Sequence, residues 1–314
     1  MTQPWLTVIM PIYNGRATLG TALSSLEGQS DGLEIIAVDQ GSTDGSRELL
    51  EAACARLPIR IIDNPTGRSW TQNTNYGLRE AAAKLITMLH QDDIWAPGRS
   101  ALLKDISTEY PDVDLWIHGA DIIDRKGKAV GRMCPPFGGS RRVLSFQEAL
   151  SDLIVQNTMA LPAVMFKRDA AINKGGLDEE LWYTADWDLW LSLAKNGVGW
   201  DPTPAAAFRI HAESQTMTGS RDLQSFKRQL QIPIERHLEH LPIRLRKMAR
   251  KRAEAANALN VCLASLHHRR LQGIGSALRA FVLLGPFEWR DFLKSSQIVN
   301  RLVPRLKLAL KMGT

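Results

Sequence analysis

Short apolar runs alternate with segments of helical spacing over the first third of the chain. Residues 6–10 form an apolar, β-branched run that Pro11 stops, and residues 33–39 form a second run that ends in a carboxylate. Between them, leucine and alanine recur at intervals of three and four over residues 18–26. Apolar runs between breakers predict buried strands, and the three-to-four-residue interval predicts a helix.

The same alternation predicts the next elements. We expect a second helix over residues 47–57, a strand at residues 60–62, a third helix over residues 70–84 and a strand over residues 85–89. Alternating strands and helices are typical of a mostly parallel sheet with right-handed crossovers. The sequence therefore predicts an α/β fold in which helices flank a Rossmann-like sheet.

Charge divides the chain into two unequal parts. Residues 1–220 carry 20 Lys and Arg against 27 Asp and Glu, whereas residues 221–314 carry 19 against 6, so the net charges are −7 and +13. Beyond residue 220 the apolar spacing is helical. We therefore expect an α/β domain at residues 1–219 and a basic α-helical extension at residues 220–314.

Composition excludes several other classes of protein. The hydrophobic content of 44% and the charged content of 23% are ordinary for a globular protein. The three cysteines lie far apart, which argues against a disulfide framework or a cysteine metal site and favours a reducing compartment. The N-terminus lacks a signal-peptide pattern, and no apolar run approaches the about 20 residues that span a bilayer. We expect a cytoplasmic protein.

Carboxylates directly follow two of the predicted strands. Asp39 ends the run at residues 33–39, and Asp92 and Asp93 follow the run at residues 85–89. Open α/β sheets bind ligands at the carboxyl ends of their strands, and carboxylates there suit a Mg²⁺ or Mn²⁺ that also holds a diphosphate. An isolated Asp-Asp pair is more often a solvated turn, so this prediction depends on its companions.

The loop after Asp39 argues against two common nucleotide-binding classes. Residues 41–46 match neither the dinucleotide motif G-x-G-x-x-G nor the phosphate loop G-x-x-x-x-G-K-[ST]. An NAD enzyme and a P-loop NTPase are therefore disfavoured. Asp39 is free to accept hydrogen bonds from a base or a ribose hydroxyl, and Asp44 either serves the ligand or caps the next helix.

Three ordered motifs resemble those of the family 2 glycosyltransferases, which have the GT-A fold. They are TVIMPIYNG at residues 7–15, EIIAVDQGSTDGS at residues 34–46 and LHQDD at residues 89–93. The resemblance covers about residues 5–215. It implies an inverting transfer of sugar from a UDP- or dTDP-sugar to a hydroxyl of a glycan or lipid-linked acceptor, as in the assembly of surface polysaccharides or glycoconjugates.

The resemblance also implies which residues bind the donor. Pro11 and Tyr13 would line the base pocket, with Asn14 beside them, and Asp39 would bind the base or the ribose. At the start of the predicted third helix, Thr74 replaces an arginine that is common in the family. Arg68 would then make the diphosphate contact that this arginine usually makes.

A divalent metal, Mn²⁺ or Mg²⁺, is the cofactor that the resemblance implies. Asp92 matches the last carboxylate of the family's D-x-D motif and would ligate the ion, and Asp93 would be the second acidic residue. His90 replaces the first Asp of that motif. His211 belongs to a segment that resembles the family's closing segment, together with residues 214–216, and would contact the metal or phosphate. A lone histidine is, however, more often structural.

Asp186 is the candidate catalytic base. It lies in the first turn of a predicted helix, where the helix dipole stabilises a carboxylate. An inverting transfer needs an Asp or Glu within hydrogen-bond reach of the acceptor hydroxyl. Asp186 matches the Asp of the family's Glu-Asp motif, in which Ala185 replaces the Glu. Alternatively, Asp186 only caps the helix, and Asp188 is the second candidate for the base.

The basic extension leaves several partners open. Residues 292–312 have the pattern of a basic amphipathic helix, which binds an anionic membrane surface, packs on the α/β domain or forms a homo-oligomer. Nucleic acid is disfavoured because no recognised binding motif is present. His237 and His240 are expected to face solvent.

Two rival functions are weighed against glycosyl transfer. A sugar-1-phosphate nucleotidyltransferase normally has a Gly-rich basic loop after the first strand, and this chain has none. A catalytically silent nucleotide-sugar-binding or scaffold protein would explain the departures at His90, Thr74 and Ala185.

Overall fold

Ten strands form one sheet in the part of the chain that the structure describes. The structure is a computed structural model that describes residues 3–211 and 219–303. The strands, in chain order, are β1 (Leu6–Ile12), β2 (Leu33–Asp39), β3 (Ile59–Asp63), β4 (Leu85–Met88), β5 (Ile94–Trp95), β6 (Leu115–Ile123), β7 (Ala129–Met133), β8 (Arg142–Leu144), β9 (Val164–Lys167) and β10 (Val198–Arg209).

Helices follow most of these strands and make up the C-terminal part. Those that lie wholly within the described ranges are α1 (Arg16–Ser24), α2 (Ser46–Ala53), α3 (Trp70–Glu80), α4 (Arg99–Glu109), α5 (Phe146–Leu153), α6 (Arg168–Asn173), α7 (Ala185–Leu193), α8 (Leu223–His237), α9 (Ile243–His267), α10 (Ile274–Leu284) and α11 (Pro286–Ser296). Among the described helices, we find none that is both long and apolar enough to span a bilayer.

The sheet is mostly parallel, in the order β3-β2-β1-β4-β9-β6-β10-β5, and β7 and β8 pair with β6 and β10. Strand β1 pairs in parallel with β2 and β4, and β6 pairs in parallel with β10. Strand β9 is antiparallel to both β4 and β6, so β4 and β6 run in the same direction. The predicted α/β fold with a helical C-terminal region is confirmed, and the carboxyl ends of the parallel strands share one edge.

Strand β1 is buried along its whole length, as expected for a parallel strand covered on both faces. It extends past the predicted stop at Pro11 and ends at Ile12. Beyond Ile9, β1 is paired with β2 alone, because its register with β4 ends there. A proline is tolerated at such a position, where one side of the ladder is already open.

Helix α3 ends at Glu80, earlier than the predicted end at residue 84. The backbone N–H of Ala82 donates to Glu34 Oε2 at 2.8 Å, and that of Ala83 donates to Thr7 Oγ1 at 3.2 Å. These side chains of the sheet satisfy the backbone in an extended conformation, so the helical propensity of the alanines is overridden.

The helical extension shares an apolar core with the sheet. Side chains of α8, α9 and α11, such as Ile234, Ala253 and Phe292, belong to the same buried cluster as Ile9 and Ile86. A second cluster fills the other face of the sheet, under α1, α2 and α4. The division into residues 1–219 and 220–314 stays a prediction, whereas the packing joins the two parts.

The predicted helix over residues 292–312 is interrupted in its described part. Helix α11 ends at Ser296, Gln297 adopts a positive φ of 49°, and residues 298–303 are helical again. Phe292 and Ile298 are buried in the protein. This part of the extension therefore packs on the protein, and residues 304–314 lie outside the described residues.

Two phenylalanines of α11 test whether the extension is part of the folding unit. Phe292 is 1% exposed and Phe287 is 94% exposed. We expect Phe292→Ala to lower the free energy of unfolding by about 3–5 kcal/mol, because it leaves a cavity in the shared core. The matched control Phe287→Ala should change it by less than about 0.5 kcal/mol. Urea denaturation measures both, and equal small effects would contradict the shared core.

Candidate active site

The loops after β1, β2 and β4 begin at the same edge of the sheet. Ile12 lies opposite Asp39 in the register of β1 and β2, and Ile9 lies opposite Met88 in that of β1 and β4. This carboxyl edge is where ligands of open α/β sheets bind. It carries the loop with Asp92 directly after β4.

Asn14 joins the first two of these loops. Its backbone N–H donates to Ser42 Oγ at 3.0 Å, and its Oδ1 accepts from the N–H of Thr43 at 2.9 Å. Ser42 Oγ donates in turn to Asp39 Oδ1 at 2.6 Å. Among the described residues, Oδ2 of Asp39 has no hydrogen-bond partner. Asn14 therefore orders the loop around a buried carboxylate that keeps one oxygen for a ligand.

Gln91, which the sequence analysis missed, ties the loop after β1 to the loop after β4. Its Oε1 accepts from the N–H of Tyr13 at 2.9 Å, and its Nε2 donates to the carbonyl of Tyr13 at 3.0 Å. A Cβ on Gly15 would lie 2.4 Å from Gln91 Oε1, so a larger residue here would displace the Gln91 side chain from this contact. The Tyr13 side chain is exposed beside this contact.

Two further predicted donor-binding residues are Pro11 and Arg68. Pro11 is buried inside β1, behind the loop. Arg68 is exposed before α3, and its backbone N–H donates to Gln72 Oε1 at 2.8 Å. Their roles in donor binding stay predictions.

Asp92 and His211 lie side by side, although they are far apart in the sequence. Asp92 Oδ2 is 3.1 Å from His211 Nε2. Burial alone would raise the pKa of Asp92, but the hydrogen bond from His211 lowers it below its ordinary value. The carboxylate is therefore ionised at neutral pH, as a metal ligand must be.

A carboxylate and an imidazole are donors that divalent ions accept, so Asp92 and His211 are a donor set that would fit a shared divalent ion. Within residues 3–211 and 219–303, Asp92 and His211 do not belong to a cluster of three or more His, Cys, Asp or Glu side chains that could hold a metal ion. Diphosphate oxygens and water would complete the coordination, which is how Mg²⁺ is commonly held. Residues 214–216, predicted to belong near this site, lie outside the described residues.

No hydrogen bond among the described residues orients the His90 ring as a metal ligand. Its ring stands edge-on to Trp70, with centroids 5.3 Å apart, and its buried Nε2 lacks a partner among the described residues. Burial lowers the pKa of His90, so the imidazole is neutral.

Asp93 faces the interior. Its Oδ1 accepts from the N–H of Arg209 at 3.0 Å, and Arg209 Nε donates to the carbonyl of Asp92 at 2.7 Å. Arg209 Nη1 donates to the carbonyls of Asp124 and Arg125 at 2.9 and 3.1 Å. Burial and then the charge of Asp92 raise the pKa of Asp93 well above its ordinary value. Arg209 and Asp93 thus hold the loop that carries Asp92, and direct donor binding by Asp93 stays a prediction.

Arg99 is buried near Asp93, and no sequence pattern indicated this position. The buried guanidinium donates to His118 Nε2 and Thr87 Oγ1, both at 2.9 Å, and lies 4.3 Å from the centre of the Trp95 ring. Burial lowers the pKa of Arg99 to about 9, so it keeps its charge near Asp93 at neutral pH.

Asp186 lies in the first turn of α7, as predicted, and is buried. Its Oδ1 accepts from the N–H of Trp187 at 2.7 Å, and its Oδ2 accepts from Asn157 Nδ2 at 3.2 Å. Burial outweighs these hydrogen bonds and raises the pKa of Asp186 to about 6. A carboxylate of this kind is suited to accept a proton near neutral pH.

The segment whose Asn157 donates a hydrogen bond to Asp186 leads into β9 at the sheet edge that carries Asp92. Strand β9 is antiparallel to β4, with Met165 opposite Thr87, so the chain before β9 lies at the carboxyl end of β4. Asn157 belongs to that preceding segment. Trp70 makes a second link, because it contacts His90 and its Nε1 donates to the carbonyl of Trp182 at 3.1 Å.

Asp188 has a different environment from Asp186. Its oxygens lie 3.0 Å from His237 Nε2 and 2.9 Å from Arg236 Nη1, both in α8. Burial opposes its ionisation, but these partners lower the pKa of Asp188. The expectation that His237 faces solvent is wrong, because its ring is buried against this carboxylate.

The comparisons with known proteins identify the class that this edge of acidic residues defines. Residues 7–166 match the family described as Glycosyl transferase family 2, which is more than half of the chain. The protein therefore belongs to glycosyltransferase family 2.

Two bacterial relatives match this chain over most of their own length. The chain is 26% identical over 230 residues to an uncharacterized glycosyltransferase of Rickettsia typhi, covering 72% of this chain and 70% of the relative. It is 27% identical over 228 residues to an uncharacterized protein of Mycobacterium tuberculosis, covering 68% and 70%.

Solved structures show the same fold at low identity. S. aureus TarS in complex with UDP-GlcNAc has a TM-score of 0.59 and 14% identity, with 91% of both chains covered. The mannosyltransferase PcManGT from Pyrobaculum calidifontis, in complex with GDP-Man and Mn²⁺, has a TM-score of 0.56 and 16% identity, with 96% of this chain and 88% of that chain covered. These likenesses confirm the GT-A fold.

The two aspartates of α7 should affect stability with opposite dependence on pH. The pKa of Asp186 in the folded protein, about 6, lies above its ordinary 3.8. Its protonated form therefore contributes stability that is complete below about pH 4 and is lost as the pH rises through about 6. Relative to Asp186→Asn, the wild type should lose about 3 kcal/mol between about pH 4 and pH 8.

Asp188→Asn is the matched control. Because the folded-state pKa of Asp188 is lowered, its contribution is present at neutral pH and is lost on acidification. This variant should therefore be less stable than the wild type at pH 7, and the difference should shrink in acid. Urea denaturation across pH measures both series, and parallel pH dependences would contradict the opposite environments.

Proposed function

We propose that the protein transfers a sugar, with inversion, from a UDP- or dTDP-sugar to a hydroxyl of a glycan or lipid-linked acceptor. The observation that carries this proposal is the 3.1 Å contact between Asp92 and His211 at the carboxyl edge of the sheet. The structural neighbours that bind UDP-GlcNAc, or GDP-Man with Mn²⁺, support a nucleotide-sugar donor and a divalent cofactor. Assembly of a surface polysaccharide or glycoconjugate would use such a reaction.

The donor nucleotide would occupy the loops after β1 and β2. The exposed Tyr13 ring offers an aromatic face to the base. Oδ2 of Asp39 is placed to accept a hydrogen bond from the base or the ribose, because Ser42 occupies the other oxygen. Gln91 keeps Tyr13 next to the loop that carries Asp92.

The diphosphate would lie at Asp92 and His211. A divalent ion held by these two side chains supplies positive charge that stabilises the leaving diphosphate. Arg209 and Asp93 would hold the loop in place, because Arg209 Nε donates to the carbonyl of Asp92 and Asp93 accepts from the backbone N–H of Arg209.

Asp186 would act as the base. It removes the proton of the acceptor hydroxyl while the oxygen attacks the anomeric carbon from the face opposite the leaving group. The new glycosidic bond forms as the bond to the diphosphate breaks, and the nucleoside diphosphate leaves with its electron pair. Asn157 orients the Asp186 carboxylate for this transfer.

Substitutions of Asp92 and of Asp186 should affect donor binding and turnover differently. Asp92→Asn should weaken binding of UDP-glucose in the presence of Mn²⁺ by about tenfold or more, because a metal ligand is lost. Asp186→Asn should leave donor binding within about twofold and lower turnover by about 10²–10⁴-fold. The exposed Asp105→Asn is the matched control and should change neither.

A thermal-shift panel of UDP-, dTDP- and GDP-sugars with Mn²⁺ measures binding, since a ligand of the native state raises its midpoint. Release of nucleoside diphosphate measures turnover. The acid side of the rate profile should fall near pH 6 in the wild type and be absent from the residual activity of Asp186→Asn. Normal turnover of Asp186→Asn would overturn the base assignment, and donor binding without turnover in the wild type would favour the silent binding protein.

A further inference from the structure

Exposed apolar side chains are concentrated in the helical extension. Of the 14 large apolar side chains that are exposed in the described residues, 11 belong to the extension. Five of them follow one another around α10 and the start of α11, and we call them the α10 patch: Leu271 (78% exposed), Leu278 (62%), Val282 (68%), Leu283 (64%) and Phe287 (94%). Exposed apolar side chains concentrated in one short segment indicate an interaction site.

The α10 patch is the outer side of a helix that is already docked. Leu278 and Val282 are four residues apart and therefore lie on one face of α10. On the inner side, Leu284 is buried, and Phe281 stacks on Trp289 of α11 with ring centroids 5.0 Å apart. An ordinary surface helix would have polar residues on its outer face. Packing of the hairpin therefore does not explain these side chains.

Positive charge surrounds the α10 patch. Residues 242–303 carry 12 Lys and Arg against 3 Asp and Glu. Two of these three carboxylates, Glu288 and Asp291, are paired with Arg252. Arg279 and Arg290 adjoin the patch, and neither has a carboxylate partner within the described ranges. The surface thus combines exposed apolar side chains with unneutralised guanidinium groups.

We propose that the α10 patch docks onto the surface of an anionic lipid bilayer. Apolar side chains enter the boundary between head groups and acyl chains, and the arginines bind the lipid phosphates. A second copy of the chain would fit less well, because a two-fold contact through the patch would bring Arg279 and Arg290 of both copies together. The site differs from the one expected at residues 292–312, where Phe292 and Ile298 are buried.

This inference goes beyond the proposed function, because it concerns where the enzyme is held and not what it transfers. Docking at a bilayer would bring the enzyme to acceptors that are anchored in lipid. The inference does not depend on the identity of the sugar or on the base.

Vesicle co-sedimentation of the full chain tests the proposal. The vesicles contain equal parts of phosphatidylglycerol and phosphatidylcholine, or phosphatidylcholine alone. We expect the wild type to sediment with the anionic vesicles, and added salt to weaken the binding. The double variant Val282→Ser, Phe287→Ser should bind them about tenfold or more weakly.

A double variant with two exposed apolar side chains outside the α10 patch is the control. Val143→Ser with Ile172→Ser removes apolar side chains that are 42% and 38% exposed on the α/β part, and it should bind like the wild type. Arg279→Gln with Arg290→Gln should bind several-fold more weakly and lose much of the salt dependence. Donor binding, measured by thermal shift, should be the same in all variants, which separates a failure of docking from a failure of the proposed function.

Four results would overturn the proposal. They are absence of wild-type binding to the anionic vesicles, equal binding by the Val282→Ser, Phe287→Ser variant, equal binding to neutral vesicles, and a wild-type dimer that light scattering shows to be monomeric in that variant. The last result would assign the α10 patch to a second copy of the chain.

Discussion

One buried contact holds the candidate active site together. The carboxylate of Asp93 accepts from the backbone of Arg209, and the Arg209 guanidinium donates to the carbonyls of Asp92 and Asp124. Three segments that are distant in the sequence thereby meet at the end of β10. His211 follows two residues later, and this is why a single imidazole reaches Asp92. A buried polar group is costly when its hydrogen-bond partner is removed, so the loss of any of these bonds should destabilise the site. Asp93, which is adjacent to the candidate metal ligand Asp92, thus stabilises the site from the interior of the protein.

The extension belongs to the site as much as the sheet does. A single residue separates Asp186 from Asp188. Burial raises the pKa of Asp186, whereas partners in α8 lower the pKa of Asp188. Helix α8 therefore anchors the helix that carries the candidate base. The segment before β9 does the same from another side, because Asn157 donates to Asp186 while Gln156 accepts from Asn260 of α9 at 2.7 Å. The candidate base is held between the sheet and the extension.

The sequence predicts the strands that position this site, but it does not predict several of the side chains that stabilise it. Periodicity predicts the parallel strands, and strand ends place Asp39 and Asp92 at one edge, because both depend on local pattern. Gln91 and Arg99 carry no such signal: a glutamine in a loop and an arginine at a helix start are usually solvated, and only the tertiary fold gives them partners. The break at Gln297 has the same cause. A basic amphipathic pattern predicts one helix, whereas the burial of side chains on both sides of Gln297 decides where the chain turns.

The uneven charge of the chain gains a physical meaning from this arrangement. The acidic part, at net −7, contains the candidate cleft, whereas the part from residue 221 onward has a net charge of +13. An anionic surface would attract the second part and repel the first, over distances set by the Debye length of about 8 Å at physiological salt. The molecule would therefore approach such a surface in one orientation before any apolar side chain touches it. Two copies of the basic part would instead repel each other, so the same charges that favour lipid oppose self-association through the α10 patch. A neutral extension with an identical apolar face would lack this discrimination.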